Sequence, residues 1–203
     1  MTGHEMAWLG RRLARCGYRP VRFPYSSLRA SVTENAASLI RFCARRGPES
    51  AHIVAHSLGG LVVLRALYDA PDLPVARIVL LGTPVAGSGV ARRLSSNRWA
   101  RPLFRMSLSE GLAGGARVPR ECRNVGVIAG TRALGFGRLS GALSHASDGA
   151  VAVAETALPG AGDVIRMPTN HIGLLLSREV AGRCCRFLHH GTFAEPGSEP
   201  GTL

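Results

Sequence analysis

A serine stands where an apolar run meets a helical pattern, in the segment IVAHSLGG at 53–60. The apolar run begins at residue 51 and is typical of a buried strand, and the helical pattern begins at Leu58. A sharp turn from strand to helix would present the Ser57 hydroxyl as a nucleophile at the end of a sheet. Such a turn requires small residues two positions either side of the serine, and Ala55 and Gly59 occupy these positions. The alternative interpretation is a serine at an ordinary strand end beside a flexible glycine pair.

A base and an acid that could activate this serine come later in the chain. A serine hydroxyl reacts well only when a base takes its proton and a third group orients that base. After a nucleophile of this kind, the acid precedes the histidine in sequence. Asp148 lies in a Ser-Asp-Gly turn before a predicted strand at 164–167, and His171 comes soon after that strand. The alternatives are a turn aspartate beside a glycine and a helix-capping or surface histidine.

Other aspartates and histidines are less well positioned for these roles. Asp163 opens the last predicted strand, whereas Asp69 and Asp72 lie at the end of a helix. His56 precedes the nucleophile and cannot turn back to act as its base. The remaining histidines fall within a strand, late in the closing helix or in loops: His52, His189, His190, His145 and His4.

Short β-like runs alternate with longer helical ones, which predicts a parallel sheet covered by helices on both faces. Strands are predicted at 19–25, 51–55, 77–81, 124–129 and 164–167, and helices at 6–15, 32–46, 58–69 and 171–188. Ser31 and Glu34 have the spacing of a capping box at a helix start. Ligand sites on such sheets lie outside the carboxyl ends of the strands.

The length of 203 residues predicts one domain over 1–190 and a disordered tail over 191–203. The stretch 85–119 is too long for a simple connection and suggests a cap or a mobile loop over the site. No apolar run approaches the roughly 20 residues of a membrane span, and the first residues do not resemble a signal peptide. We therefore expect a cytoplasmic protein with no integral membrane segment.

The net charge of +12 comes from arginine alone, because the chain contains no lysine. The arginines are scattered, in pairs at most, whereas a nucleic-acid footprint would cluster on one face. We therefore expect no nucleic-acid partner. The five cysteines are odd in number and form no C-x-x-C pair, which predicts free thiols in a reducing compartment and no zinc site.

Four segments together resemble the α/β-hydrolase superfamily, on its lipase/esterase branch of small bacterial serine hydrolases. They are AHSLGG at 55–60, LGTP at 81–84 with a Gly-Ser pair at 87–88, SDG at 147–149 with 151–156, and the Asn-His pair at 170–171. The resemblance implies a three-layer α/β fold with a mainly parallel sheet, and it implies hydrolysis of a small-molecule or lipid ester without a cofactor. It also implies that Ser57 is the nucleophile, Asp148 the orienting acid, His171 the general base and the Leu58 N–H an oxyanion donor.

The resemblance fails at the front of the chain. Members of the family begin with strands and a His-Gly loop that supplies a second oxyanion N–H, and the sequence around His4 resembles the segment immediately after that loop. We therefore expect a truncated sheet in which the 19–25 strand comes first, the His4 segment lies near the site, and an exposed edge permits self-association. A misassigned start, a degraded paralogue or a substituting segment would each account for this departure. The alternatives to an ester hydrolase are an impaired hydrolase-like binding protein and an acyltransferase with the same triad.

Overall fold

A computed structural model describes residues 6–26, 30–46, 51–88, 117–133 and 146–195 of the chain. Its regular elements show the predicted alternation of helices and strands. In chain order they are α1 (Ala7–Arg15), α2 (Val32–Ala44), β1 (Ala51–His56), α3 (Leu58–Asp69), β2 (Val75–Leu81), β3 (Cys122–Gly130), a 3₁₀ helix (Val153–Thr156), β4 (Ala161–Met167), α4 (Gly173–Leu176) and α5 (Arg178–His190).

The four strands form one parallel sheet in the order β1-β2-β3-β4. His56 is in register with Leu81, and Leu81 is in register with Ile128. The loops after β1, β2 and β3 therefore leave the sheet at the same edge. β4 ends at the same edge, because its last residue, Met167, is in register with Gly130.

Successive residues of β2 pack against opposite helical layers, as the side-chain period of a buried parallel strand requires. Ile78 and Leu80 belong to a buried cluster that includes residues of α2 and α3. Val79 and Leu81 belong to a second cluster that includes residues of α1 and α5. The sheet is therefore the middle of three layers, which confirms the fold class expected from the sequence.

The capping box predicted before α2 is present. The Ser31 hydroxyl accepts from the Glu34 N–H at 3.1 Å, and the Glu34 carboxylate accepts from the Ser31 N–H at 2.8 Å. Two N–H groups at the start of the helix are thereby satisfied. α2 packs against α3, the helix that follows Ser57, on one face of the sheet. The cap therefore helps to stabilise the helical layer that contains α3.

The predicted strand at 19–25 is wrong, because β1 is the first strand among the described residues. Pro20 and Pro24 have no N–H to donate, which weakens any ladder that this segment could form. The segment nevertheless lies close to β1. Residues 18–23 and Tyr25 line a cavity of about 440 Å³ together with all six residues of β1.

The predicted closing helix at 171–188 is interrupted. It consists of the short α4 and the longer α5, which are separated by Ser177 in an extended conformation. The Ser177 hydroxyl accepts from the Val180 N–H at 3.3 Å and so caps α5. A polar capping residue competes well with helix continuation at such a position, and this explains the break.

The first part of the expected tail, 191–195, lies within the described residues. Phe193 is fully buried, and its ring centroid lies 4.8 Å from that of Phe187 on α5. Burial of a phenylalanine stabilises this segment against the sheet. The rest of the expected tail, 196–203, lies outside the described residues, as does 89–116 of the expected cap.

Two of the five cysteines form a disulfide, so the expectation of free thiols is wrong for them. Cys16 comes directly after α1 and is bonded to Cys185 of α5, 169 positions later in sequence, with the two Cα atoms 6.2 Å apart. Cys43, Cys122 and Cys184 are free and buried. Sequence spacing does not reveal a pairing that depends on two helices packing side by side. Because disulfides persist mainly in oxidising compartments, the thiol argument no longer supports a cytoplasmic location.

Among the described residues, no helix combines the length and apolar character that crossing a bilayer would require.

Candidate active site

Ser57 is the single residue that connects β1 to α3, and the chain turns sharply there. Its backbone has φ 54° and ψ −125°, and it is the only non-glycine residue with positive φ in the described parts of the chain. Its N–H donates to the Leu81 carbonyl at 2.9 Å, which ties the junction to the end of β2. Strained backbone of this kind persists only where neighbouring structure enforces it, and it is enriched at functional sites.

Small residues allow the strand and the helix to approach each other at this junction. A Cβ atom at Gly59 would lie 3.9 Å from the Ala55 Cβ and 3.4 Å from the Tyr25 hydroxyl. Both distances are those of ordinary van der Waals contact. The small residues at 55 and 59 therefore let strand and helix meet on either side of Ser57, with alanine in the first small position.

Asp148 is held in a turn with both carboxylate oxygens occupied. Its Oδ1 accepts from the N–H groups of Ala150 at 2.9 Å and Val151 at 2.7 Å. Its Oδ2 lies 2.6 Å from His171 Nδ1. The Asp148 side chain is almost fully buried, with 1 % of its surface exposed. The carboxylate therefore keeps one orientation, and that orientation faces the imidazole.

His171 is fixed to Asp148 through its backbone as well as through its ring. The His171 N–H donates to the Asp148 carbonyl at 2.9 Å, in addition to the contact between Nδ1 and Oδ2. When Nδ1 carries the proton and donates a hydrogen bond to the carboxylate, Nε2 of a neutral imidazole is free to accept a proton. The side chain is 17 % exposed, so the ring is open to a ligand while its partner is not.

Gly82 brings the loop after β2 directly against this pair. Its φ is 52°, and a Cβ atom on it would lie 2.8 Å from Asp148 Oδ2 and 3.1 Å from His171 Nδ1. Its N–H donates to the Ile128 carbonyl at 3.0 Å. Only glycine tolerates both this backbone conformation and this contact. The sequence marked Gly82 as part of a matching segment but gave no sign that it lies against Asp148 and His171.

His56 is the site residue that sequence reasoning missed, because it was considered only as a base for Ser57. Its ring centroid lies 4.4 Å from that of His171, and its Nε2 lies 3.0 Å from the His171 carbonyl oxygen. Burial, and secondarily the nearby His171, lowers the pKa of His56 to about 4. The ring is therefore neutral at ordinary pH, and its hydrogen bond to a carbonyl requires the proton to be on Nε2.

The structure thus brings Asp148, His171, His56 and Gly82 together at the carboxyl edge of the sheet, with Ser57 directly after His56. Leu58 is the first residue of α3, where backbone N–H groups lack intrahelical acceptors. His52 lies in β1, and His189 and His190 end α5, as the sequence indicated. His4 and His145 fall outside the described residues. Within the described ranges no group of three or more His, Cys, Asp or Glu side chains could hold a metal ion.

No family model matches the sequence, and no curated protein matches it. Solved structures do resemble it. The Bacillus licheniformis lipase BlEst2 in its propeptide form covers 100 % of this chain with 51 % of its own, at 19 % identity and a TM-score of 0.69. A pyrethroid hydrolase from Sphingobium faniae JZ-2 covers 93 % of this chain with 93 % of its own, at 12 % identity and a TM-score of 0.62.

A third similar structure, the metagenomic carboxyl esterase MGS0156, covers 72 % of this chain with 53 % of its own, at 21 % identity and a TM-score of 0.52. The chain therefore spans about half the length of BlEst2 in its propeptide form and of this esterase. Likeness at these identities concerns the fold.

Proposed function

Because this chain has the α/β-hydrolase fold, we propose that it is a serine hydrolase that cleaves a carboxylic ester through an acyl-enzyme on Ser57. The observation that carries the proposal is the 2.6 Å contact between His171 Nδ1 and Asp148 Oδ2, at the sheet edge where Ser57 adopts a strained turn. A buried acid that orients a partly exposed imidazole is the arrangement that nucleophilic catalysis by serine requires.

In the proposed first half-reaction, Ser57 Oγ attacks the ester carbonyl carbon while His171 Nε2 takes the hydroxyl proton. Asp148 stabilises the imidazolium, and the Leu58 N–H donates to the oxyanion of the tetrahedral intermediate. Collapse of the intermediate breaks the bond to the alkoxy oxygen. The leaving alcohol takes the proton from His171, and the acyl group remains on Ser57.

In the second half-reaction, water attacks the acyl carbon and His171 takes one of its protons. The second tetrahedral intermediate collapses, Ser57 recovers the proton, and the carboxylic acid leaves. No step needs a metal or an organic cofactor. Support for an ester as substrate comes from the similar structures, whose names are those of a lipase, a carboxyl esterase and a pyrethroid hydrolase. We propose a small-molecule or lipid ester of unspecified acyl length.

Covalent labelling tests this proposal most directly. A fluorophosphonate probe should label the wild-type chain, and Ser57→Ala should abolish both the labelling and the turnover of 4-nitrophenyl esters. Ser38→Ala, on the surface of α2, is the matched control and should leave both unchanged. Absence of labelling in folded wild-type protein would refute the proposal. Labelling without ester turnover would instead favour an impaired binding protein, and acyl transfer to added alcohols would favour an acyltransferase.

We also propose that the chain self-associates through the outer edge of β1. In the described sheet β1 pairs with β2 alone, and the neighbouring 18–25 segment forms no ladder with it. An edge of unpaired N–H and C=O groups is a template for pairing with another chain. Sedimentation velocity should therefore show mass increasing with protein concentration, and a monomer at all concentrations would contradict the proposal.

A further inference from the structure

His56 is tied to the backbone of the residue that would act as the general base. Its Nε2–H donates to the His171 carbonyl at 3.0 Å, and the two imidazole rings are 4.4 Å apart with their planes inclined by 44°. The two residues are separated by 115 positions in sequence. This contact therefore joins the end of β1 to the loop after β4.

Two residues hold His171: Asp148 contacts its backbone N–H and its ring, and His56 contacts its backbone carbonyl. Asp148 accepts from the His171 N–H through its carbonyl, and its carboxylate contacts Nδ1. The His171 carbonyl accepts from His56. Asp148 fixes His171 with respect to the turn that contains Asp148, whereas His56 fixes it with respect to β1, the strand that directly precedes Ser57. Among the hydrogen bonds of the described residues, only the second joins His171 directly to β1.

Packing alone does not account for a histidine at position 56. Its side chain is buried, and its Nδ1 has no hydrogen-bond partner among the described residues. Leaving a buried polar atom unpaired is unfavourable, so an apolar side chain of similar volume would suit packing better. The imidazole contributes one thing that an apolar ring does not, which is the proton donated to His171.

We propose that His56 is a positioning residue, which holds His171 at the height and angle that Ser57 requires. The inference rests on the proposed serine hydrolase function. His56 touches neither the ester nor the transferred proton, and it acts through the His171 carbonyl. Its low pKa suits this role, because a neutral ring does not repel the imidazolium that forms on His171 during acyl transfer. The titratable groups that face it are His171 and Asp148.

Three substitutions separate positioning from packing. His56→Gln retains an amide N–H near the Nε2 position, His56→Asn is too short to reach the carbonyl, and His56→Phe retains the ring but has no donor. We expect His56→Phe and His56→Asn to lower kcat about 10- to 100-fold with KM changed less than about 3-fold, because small misplacement of a catalytic group costs up to about 10² in rate. We expect His56→Gln to retain kcat within about 5-fold of the wild type.

Melting temperature gives the outcome expected from packing alone. If His56 only fills space, His56→Phe will retain kcat while His56→Gln and His56→Asn lower stability and kcat together. This result would overturn the proposal. Should the Phe variant fail to fold, the comparison of Gln with Asn decides, since equal kcat in these two variants also overturns it.

Proton NMR makes the inference independent of turnover. The wild type should show a downfield imidazole N–H resonance from the His171 contact with Asp148. This resonance should broaden or shift in His56→Asn and His56→Phe and persist in His56→Gln. Absence of ester turnover and of probe labelling in the wild type would refute the proposed function, whereas an unchanged resonance in all three variants would refute the positioning role.

Discussion

Two aspartates of this protein are anchored in nearly the same way, but they support different kinds of structure. In each, Oδ1 accepts from nearby backbone N–H groups, two for Asp148 and one for Asp163, and Oδ2 contacts a part of the chain that is distant in sequence. The distant partner of Asp148 is the imidazole of His171. The distant partners of Asp163 are the Thr192 hydroxyl at 2.8 Å and the Phe193 N–H at 2.6 Å.

The difference between the two regions is one of chemistry. An imidazole can accept a proton from a serine and return it near neutral pH, whereas a hydroxyl and a peptide N–H cannot. The Asp148 region, meaning Asp148 with His171, therefore has a group that can exchange protons. The Asp163 region instead fixes the segment after α5 to the sheet, where Phe193 packs beneath it. Similar anchoring of a carboxylate is thus no guide to function until its partner is known.

The largest expected difference between the two aspartates is in the effect of an asparagine substitution on kcat and on the free energy of unfolding. We expect Asp148→Asn to lower kcat for an ester by about 10⁴-fold, because an amide cannot orient the imidazole and stabilise its charge in the same way. Asp163→Asn should leave kcat within about 3-fold and lower the free energy of unfolding by about 1.5–3 kcal/mol, through weakened charged hydrogen bonds. Steady-state kinetics and urea unfolding of both variants provide the measurement. A similar loss of kcat in both would remove the distinction.

Truncation of Phe193 should lower the stability of the protein without affecting catalysis at Asp148 and His171. Phe193→Ala removes a fully buried ring that contacts Phe187, and we expect it to lower the free energy of unfolding by about 3–5 kcal/mol. Where the folded state still dominates, kcat should match that of the wild type. Thr192→Ala is a milder companion that removes a hydrogen bond and no buried ring. Unfolding transitions identical to the wild type would show that this segment does not stabilise the domain.

Acid should lower the free energy of unfolding, because the buried His56 resists protonation in the folded protein. The folded-state pKa of about 4 lies below the unfolded value of about 6.5, so the unfolded chain binds the proton more readily between these values. Stability should therefore fall as pH decreases from about 6.5 to about 4, by about 3 kcal/mol from this residue. His56→Gln cannot titrate and should show a shallower slope over this window. Equal slopes would show that His56 is not buried as described.

The smallest expected effect concerns the glycine that touches both members of the pair. A Cβ atom at Gly82 would press on Asp148 and His171, so Gly82→Ala should lower kcat about 100-fold through misplacement. Gly17→Ala is the matched control, because Gly17 also has positive φ but no atom within 4 Å of its would-be Cβ. Both variants share the backbone strain, so a loss of kcat in both would assign the effect to strain rather than to contact.

Local patterns in the sequence were sufficient for most of the regular elements. The helix at 58–69 has the predicted bounds, and the predicted strands at 51–55, 77–81, 124–129 and 164–167 all lie within observed ones. Apolar runs and capping residues act over a few positions, so the sequence shows them directly. The strand prediction at 19–25 was wrong because β-like composition does not supply a pairing partner.

For the candidate site, the sequence indicated Ser57, Asp148 and His171 by type and chain order, and their assignment as a triad stays a prediction. The contact between Asp148 and His171 depends on β3 and β4 ending at one edge, which register decides. The role of His56 was not visible, because its partner is a backbone carbonyl more than a hundred residues away.

The sequence by itself determined the alternation of strands and helices, the parallel three-layer fold and the strand-to-helix turn at Ser57, because these depend on hydrophobic periodicity and local steric requirements. Tertiary structure alone decided which carboxylate meets an imidazole, which cysteines are joined and how Phe193 packs after α5. Asp148 and Asp163 are both turn or strand-end aspartates in sequence. Only the packing of distant segments against the sheet gives the first an imidazole and the second a hydroxyl and a peptide N–H.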